Sequence, residues 1–119
     1  MPDPIPFATR RIDSVLVIRL QKQAGIGSLD LVAQLPGVLS DPQADDVRHV
    51  VVDCTKLRFA GSVFLESLVQ LHHRIQERDG LLVLCGVNDE LRDILDLARF
   101  DTLWDRYASV DDAVQALAE

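Results

Sequence analysis

A chain of 119 residues, 48% hydrophobic and 26% charged, has enough apolar content to bury a core as one domain, 1–119, without disulfide or metal staples. Its formal net charge of −7, from 12 basic and 19 acidic side chains, excludes a nucleic-acid surface, which needs clustered Lys and Arg, and disfavours anionic membranes. No apolar run approaches the roughly 20 residues that span a bilayer, and Met1-Pro2-Asp3-Pro4 lacks the basic-then-apolar start of a secretion signal; no membrane insertion and a cytoplasmic location are expected.

In chain order, Phe7 to Ile12 and Val15 to Leu20 read as two strands around a turn at Asp13-Ser14, the second apolar enough to be buried. Gly25 and Gly27 punctuate a loop to Ser28, a helix N-cap residue, after which Leu31, Val32, Leu35, Val38 and Leu39 recur at helical spacing. Pro36-Gly37 interrupts that helix. Val50 to Cys54 is too short for a helix and lacks polar alternation, as in a strand covered on both faces. From Ser62, the residues Phe64, Leu65, Leu68, Val69, Leu71 and Ile75 form an apolar helical stripe, with Glu66, Gln70, His73 and Glu77 on the solvated side, until Asp79-Gly80. Leu81 to Cys85 is a second covered strand. Asn88 or Asp89 caps a helix carrying Leu91, Ile94, Leu95 and Ala98. The segment Phe100 to Tyr107 holds room for a last short strand, and Ser109 with Asp112 resembles a capping box for a terminal helix.

This alternation implies an α/β fold: a mixed four- to five-stranded sheet with a parallel centre and about four helices. Strand 50–54, helix 62–78 and strand 81–85 make one crossover unit, expected to be right-handed. Functional sites of such sheets lie beyond the carboxyl ends of the strands, which is where Thr55 to Ser62 falls.

Ser62 would stand at a helix N-terminus, where unpaired N–H groups and a partial positive charge favour anions. Its hydroxyl is either a cap worth about 1 kcal/mol or the seat of a phosphate. Leu57, Arg58 and Phe59 with the helix start form either an exposed apolar-plus-basic patch of the kind that marks interaction surfaces, or turn inward as core. Asp53 does not fit a phosphoaspartate receiver: Asp45-Asp46 lies at the wrong end of its strand and no lysine follows Lys56. It reads as a turn or strand-end residue. Gly-x-Ser-x-Gly of a hydrolase is absent around Ser62, and His72 and His73 lie nearly three turns down the helix. His49, placed ahead of its strand, completes three histidines with no metal-ligand spacing. No catalytic residues, metal or cofactor are expected. Cys54 and Cys85 read as buried reduced thiols, which could approach each other if their strands are neighbours.

From His49 through Tyr107 the chain resembles the sulfate-transporter and anti-sigma-factor-antagonist (STAS) domain. In that family an apolar strand ending in Asp leads to a loop Phe-x-Asp-Ser-Ser/Ala-Gly-Leu that opens a helix; here the loop stands as Phe59-Ala60-Gly61-Ser62-Val63-Phe64-Leu65. Leu82-Val83-Leu84-Cys85-Gly86-Val87, Leu91-Arg92-Asp93-Ile94-Leu95 and Phe100-Asp101-Thr102-Leu103-Trp104 are similar to the family's next strand, helix and aromatic connection. The resemblance implies a non-enzymatic regulatory protein-binding domain of the anti-sigma factor antagonist kind. It makes Ser62 the phosphoacceptor; together with the patch read above, this leaves Leu57, Arg58, Phe59, Gly61, Ser62, Val63 and Glu66 as the docking candidates around it. The implied partner is an anti-sigma factor or a serine kinase of the ATPase-like type. Gly61 replaces the family's acidic residue, and Val63-Phe64 replace its small residue and glycine. Those departures support an alternative: a STAS-like adaptor, or a subunit of a signalling or transporter assembly, that has lost the switch.

Overall fold

The computed structural model describes residues 7–20, 37–40, 44–55, 62–97, 99 and 104–117. Within them the covered apolar runs lie side by side as a five-stranded sheet in the order β1-β2-β3-β4-β5. The strands are β1 (Phe7–Ile12), β2 (Val15–Leu20), β3 (His49–Asp53), β4 (Leu82–Cys85) and β5 (Arg106–Tyr107). β1 and β2 form an antiparallel hairpin with Ile12 opposite Val15; the other pairings are parallel. Asp13 turns the hairpin at φ 53°, a left-handed conformation that a short Asp tolerates. The Ser14 carbonyl then accepts the amides of Arg48 (2.8 Å) and His49 (3.2 Å), which sets the hairpin against the start of β3.

Three α-helices are described: α1 (Ser62–Gln76), α2 (Asp89–Leu97) and α3 (Val110–Leu117). Most of the helix read from residues 28–39 lies outside the described residues. Its end is a 3-10 turn at Val38–Ser40, directly after the Pro36-Gly37 interruption. The Asn88 side chain caps α2, accepting the Leu91 amide at 2.7 Å, and Ser109 caps α3 through the Asp112 amide at 3.1 Å. α1 stops where Asp79 takes φ 58° and the Gly80 amide returns to the Ile75 carbonyl at 3.0 Å. A side chain at Gly80 would overlap the Arg48 carbonyl.

The two-residue period of the strands splits the core in two. One face carries Leu16, Ile18, Val50, Val52, Cys54 and Leu84, packed under Leu68, Leu71 and Ile75 of α1, Leu91 and Leu95 of α2, and Trp104. The other carries Val15, Val17, Val51, Val83 and Cys85 beneath Ala113 and Leu117 of α3. This corrects the expectation that the two thiols could approach: they belong to neighbouring strands but point to opposite faces. His49 also moves; it is the first residue of β3 and accepts the Leu81 amide on Nδ1 at 3.0 Å. The strand holding Cys85 begins one residue late, at Leu82: the Leu81 carbonyl accepts the Val50 amide, but the Leu81 amide donates to the His49 side chain rather than to backbone.

Candidate functional site

β3 ends in a carboxylate that is almost wholly buried, Asp53, at 5% exposure. A buried carboxylate must be paired or hydrogen-bonded, and Asp53 is both. Its Oδ1 accepts the Thr55 amide at 3.0 Å and the Thr55 hydroxyl at 2.5 Å. The Arg19 guanidinium, near the end of β2 and half-exposed, lies 3.4 Å from Oδ2. This local loop back onto Asp53 turns the chain out of the sheet at Thr55.

β4 supplies the seat. Gly86, at φ 66°, follows Cys85 so closely against Thr55 that an added Cβ would overlap the Thr55 hydroxyl and press on its amide and Cα. The Cys54 amide donates to the Cys85 carbonyl at 2.9 Å, and the Gly86 amide to the Tyr107 carbonyl at 3.2 Å. The carboxyl ends of β2 to β5 are thus joined by Arg19, Asp53, Thr55 and Gly86. From this base the chain runs towards Ser62. Leu57, Arg58, Phe59 and Gly61 lie outside the described residues. Ser62 and Val63 open the first turn of α1, and Glu66 is exposed one turn along.

The charge at the three helix starts differs. α2 begins with Asp89 and Glu90, and α3 has Asp111 and Asp112, but the first turn of α1 carries no acidic residue. Its N-terminal partial charge is therefore not countered by a carboxylate of its own first turn. The thiols near this end are inert: burial pushes Cys85 up to about 12, with the adjacent Asp53 charge adding, and burial likewise raises Cys54. The histidines are not brought together with Ser62. His49 sits at the amino end of β3 and His72 and His73 lie in the third turn of α1. Among the described residues no group of three or more His, Cys, Asp or Glu is placed to hold a metal ion, and no helix is long and apolar enough to cross a membrane.

The arrangement is that of a known family, whose profile, described as STAS domain, matches residues 6–113. The chain belongs to the STAS domain family. No curated protein sequence matches it, but solved structures share its fold. An anti-sigma-factor antagonist (STAS) domain protein from Planctomyces limnophilus superposes with a TM-score of 0.82 at 24% identity, covering 95% of this chain and 98% of that one. An anti-sigma factor antagonist from Mycobacterium paratuberculosis gives 0.78 at 22% identity, covering 100% and 98%. The Bacillus cell fate determinant SpoIIAA in its phosphorylated form gives 0.69 at 13% identity, covering 92% and 97%. The mixed sheet expected from the sequence is the STAS sheet.

Residue-by-residue reading of the sequence located Ser62 and the strand-end Asp53 but assigned nothing to Arg19, Thr55 and Gly86. An Asp-x-Thr spacing at a strand's end is a turn signature in its own right, and it was the available signal for Thr55. Arg19 had none, because its partner is 34 residues away in sequence (53 − 19) and joined only by the parallel register of β2 and β3.

Proposed function

We propose that this STAS domain is a regulatory protein-binding module whose docking surface surrounds Ser62 and is gated by phosphorylation of that residue. The observation that carries the reading is the placement of Ser62 as the first residue of α1, at the carboxyl end of the parallel sheet, in a first turn without acidic residues. A phosphate there adds about −1.5 to −2 charges. The helix terminus favours it in the free domain, while at a desolvated docking surface the same charge opposes a partner that binds the neutral hydroxyl. Binding is switched without refolding. The phosphorylated SpoIIAA structure supports the reading as a case of this fold carrying a phosphate. The partner class is an anti-sigma factor or an ATPase-like serine kinase, by analogy with the anti-sigma factor antagonists that share the fold.

The experiment is affinity capture from lysate of the source cell with Ser62→Ala and Ser62→Asp baits, followed by incubation of the captured fraction with ATP and mapping of any phosphate on the wild-type chain. Retention of an ATPase-like kinase by the alanine bait, its loss from the aspartate bait, and phosphate on Ser62 are the expected results. Equal capture by both baits refutes the gate. That result would leave the reading favoured by Gly61, Val63 and Phe64, a STAS adaptor that binds its assembly constitutively.

A further inference from the structure

We propose that His72 and Trp104 form a proton-operated latch between α1 and the segment that enters β5. Trp104, the chain's single tryptophan, is 2% exposed and packs with the α1 and α2 core residues. Its indole Nε1–H donates to His72 Nδ1 at 3.2 Å, with the rings edge-to-face at 6.0 Å and 80°. An indole nitrogen only donates, so Nδ1 is the unprotonated nitrogen and the His72 proton resides on Nε2. A second proton can enter only at Nδ1. It would set donor against donor, and the buried indole N–H would lose that acceptor.

Among the described residues the surroundings add no carboxylate to hold a charged His72. On α1 the neighbouring ring is His73, exposed, with centroids 6.1 Å apart, and charging both opposes charging either. Arg74, also exposed, follows on the same helix. The Trp104 segment brings Asp105, which is exposed, and Arg106, which is committed to Asp96 at 3.0 Å. Among the described residues no acidic side chain is within ion-pair distance of His72. Burial, and then His73, lower its pKa from the ordinary histidine value, so the latch is closed at neutral pH.

What the latch holds is the sheet's short edge. β5 has two residues, and the Asp105 carbonyl next to Trp104 accepts the Leu84 amide at 2.9 Å. Opening the latch removes the His72 contact of Trp104 immediately before that bond, while its core packing remains. The inference stands independently of Ser62.

The test follows the single indole N–H of the full chain by NMR between pH 7.5 and 5.0, with histidine nitrogen shifts reporting the His72 tautomer and far-UV circular dichroism reporting global folding. We expect protonation at Nδ1 with a midpoint below 6.5. The indole shift and its loss of exchange protection should move together with it while the helical signal stays constant. His72→Gln keeps an acceptor without a titrating group and should remain protected across the range; His72→Leu should be less protected than His72→Gln at every pH and show no titration. An indole signal that is pH-independent, that changes only with global unfolding, or that titrates unchanged in His72→Gln overturns the latch.

Discussion

The Asp53 carboxylate takes both the amide and the hydroxyl of Thr55 on one oxygen, at 3.0 and 2.5 Å, while its other oxygen faces Arg19 at 3.4 Å. The pair to Arg19 is half-exposed on the arginine side, and such pairs contribute at most about 1 kcal/mol. The part-buried bonds to Thr55, made to a charged acceptor, are the larger part. Asp53→Asn keeps one carbonyl acceptor and should cost about 1 kcal/mol. Asp53→Ala leaves the Thr55 amide and hydroxyl without their acceptor and should cost about 2–4 kcal/mol. Urea unfolding of the two variants measures the difference, and equal midpoints would show that the Thr55 bonds contribute nothing.

Gly86 and Gly37 make a matched pair of substitutions. At Gly86 an alanine methyl is asked to sit at φ 66° and against the Thr55 hydroxyl, which combines a left-handed penalty of about 1–2 kcal/mol with displacement of Thr55. A loss of roughly 2 kcal/mol or more is expected, with faster amide exchange at Thr55. At Gly37 nothing stands within 4 Å of the added methyl, so Gly37→Ala should change stability by less than about 0.5 kcal/mol. Thermal unfolding of both distinguishes a site-specific clash from a general intolerance of added volume.

Arg78 clamps a distant stretch of backbone. Its guanidinium donates to the carbonyls of Leu39 (2.7 Å), Ala44 (2.6 Å) and Val47 (3.0 Å), gathering the 3-10 turn and the approach to β3 beside the end of α1. Bonds from a charged donor contribute about 1.5–3 kcal/mol each in isolation, but they share one side chain, so Arg78→Ala should cost about 3 kcal/mol in total. Lysine is a point charge on a flexible stem and lacks the planar fork; Arg78→Lys should recover less than half of that loss. Denaturant midpoints of the two variants test this, and full recovery by lysine would refute the fork argument.

What the sequence made legible follows from the range of each interaction. Val50 to Cys54, the α1 stripe from Leu65 to Ile75 and the Ser109 cap are periodic or local signals, and each maps onto the element it predicts. Asn88 was one of two cap candidates, and its bond to the Leu91 amide decides between them. The Arg78 clamp was invisible, because its partners are backbone carbonyls 31 to 39 residues away. The strands of the two thiols are neighbours, but adjacency alone does not bring side chains together; the register that pairs Asp53 with Cys85 puts Cys54 on the opposite face. Ser62 was legible as a helix start, but no local pattern says what would dock there.

A pH dependence should arise at the other end of β3. His49 Nδ1 accepts the Leu81 amide at 3.0 Å, and burial first, then the Arg48 charge, lower the pKa of this histidine from 6.5. The neutral imidazole is the form that the fold stabilises. The unfolded chain therefore binds the proton more readily, and stability rises with pH wherever it does so. The contribution is fully present above pH 6.5, declines as pH falls below it, and is gone once the folded-state pKa is passed. Each titrating histidine adds at most about 1.4 kcal/mol per pH unit within that window. Asp46 acts in a separate range: the hydrogen bond from Arg11 lowers its pKa below 3.8, so its contribution is lost only under more acidic conditions. Urea midpoints of the wild type should fall between pH 7 and 5.5. His49→Gln, which retains an acceptor oxygen without a titrating group, should show a shallower fall, the remainder belonging to His72. An unchanged slope in His49→Gln would mean that the Leu81 contact does not discriminate between the protonation states of His49.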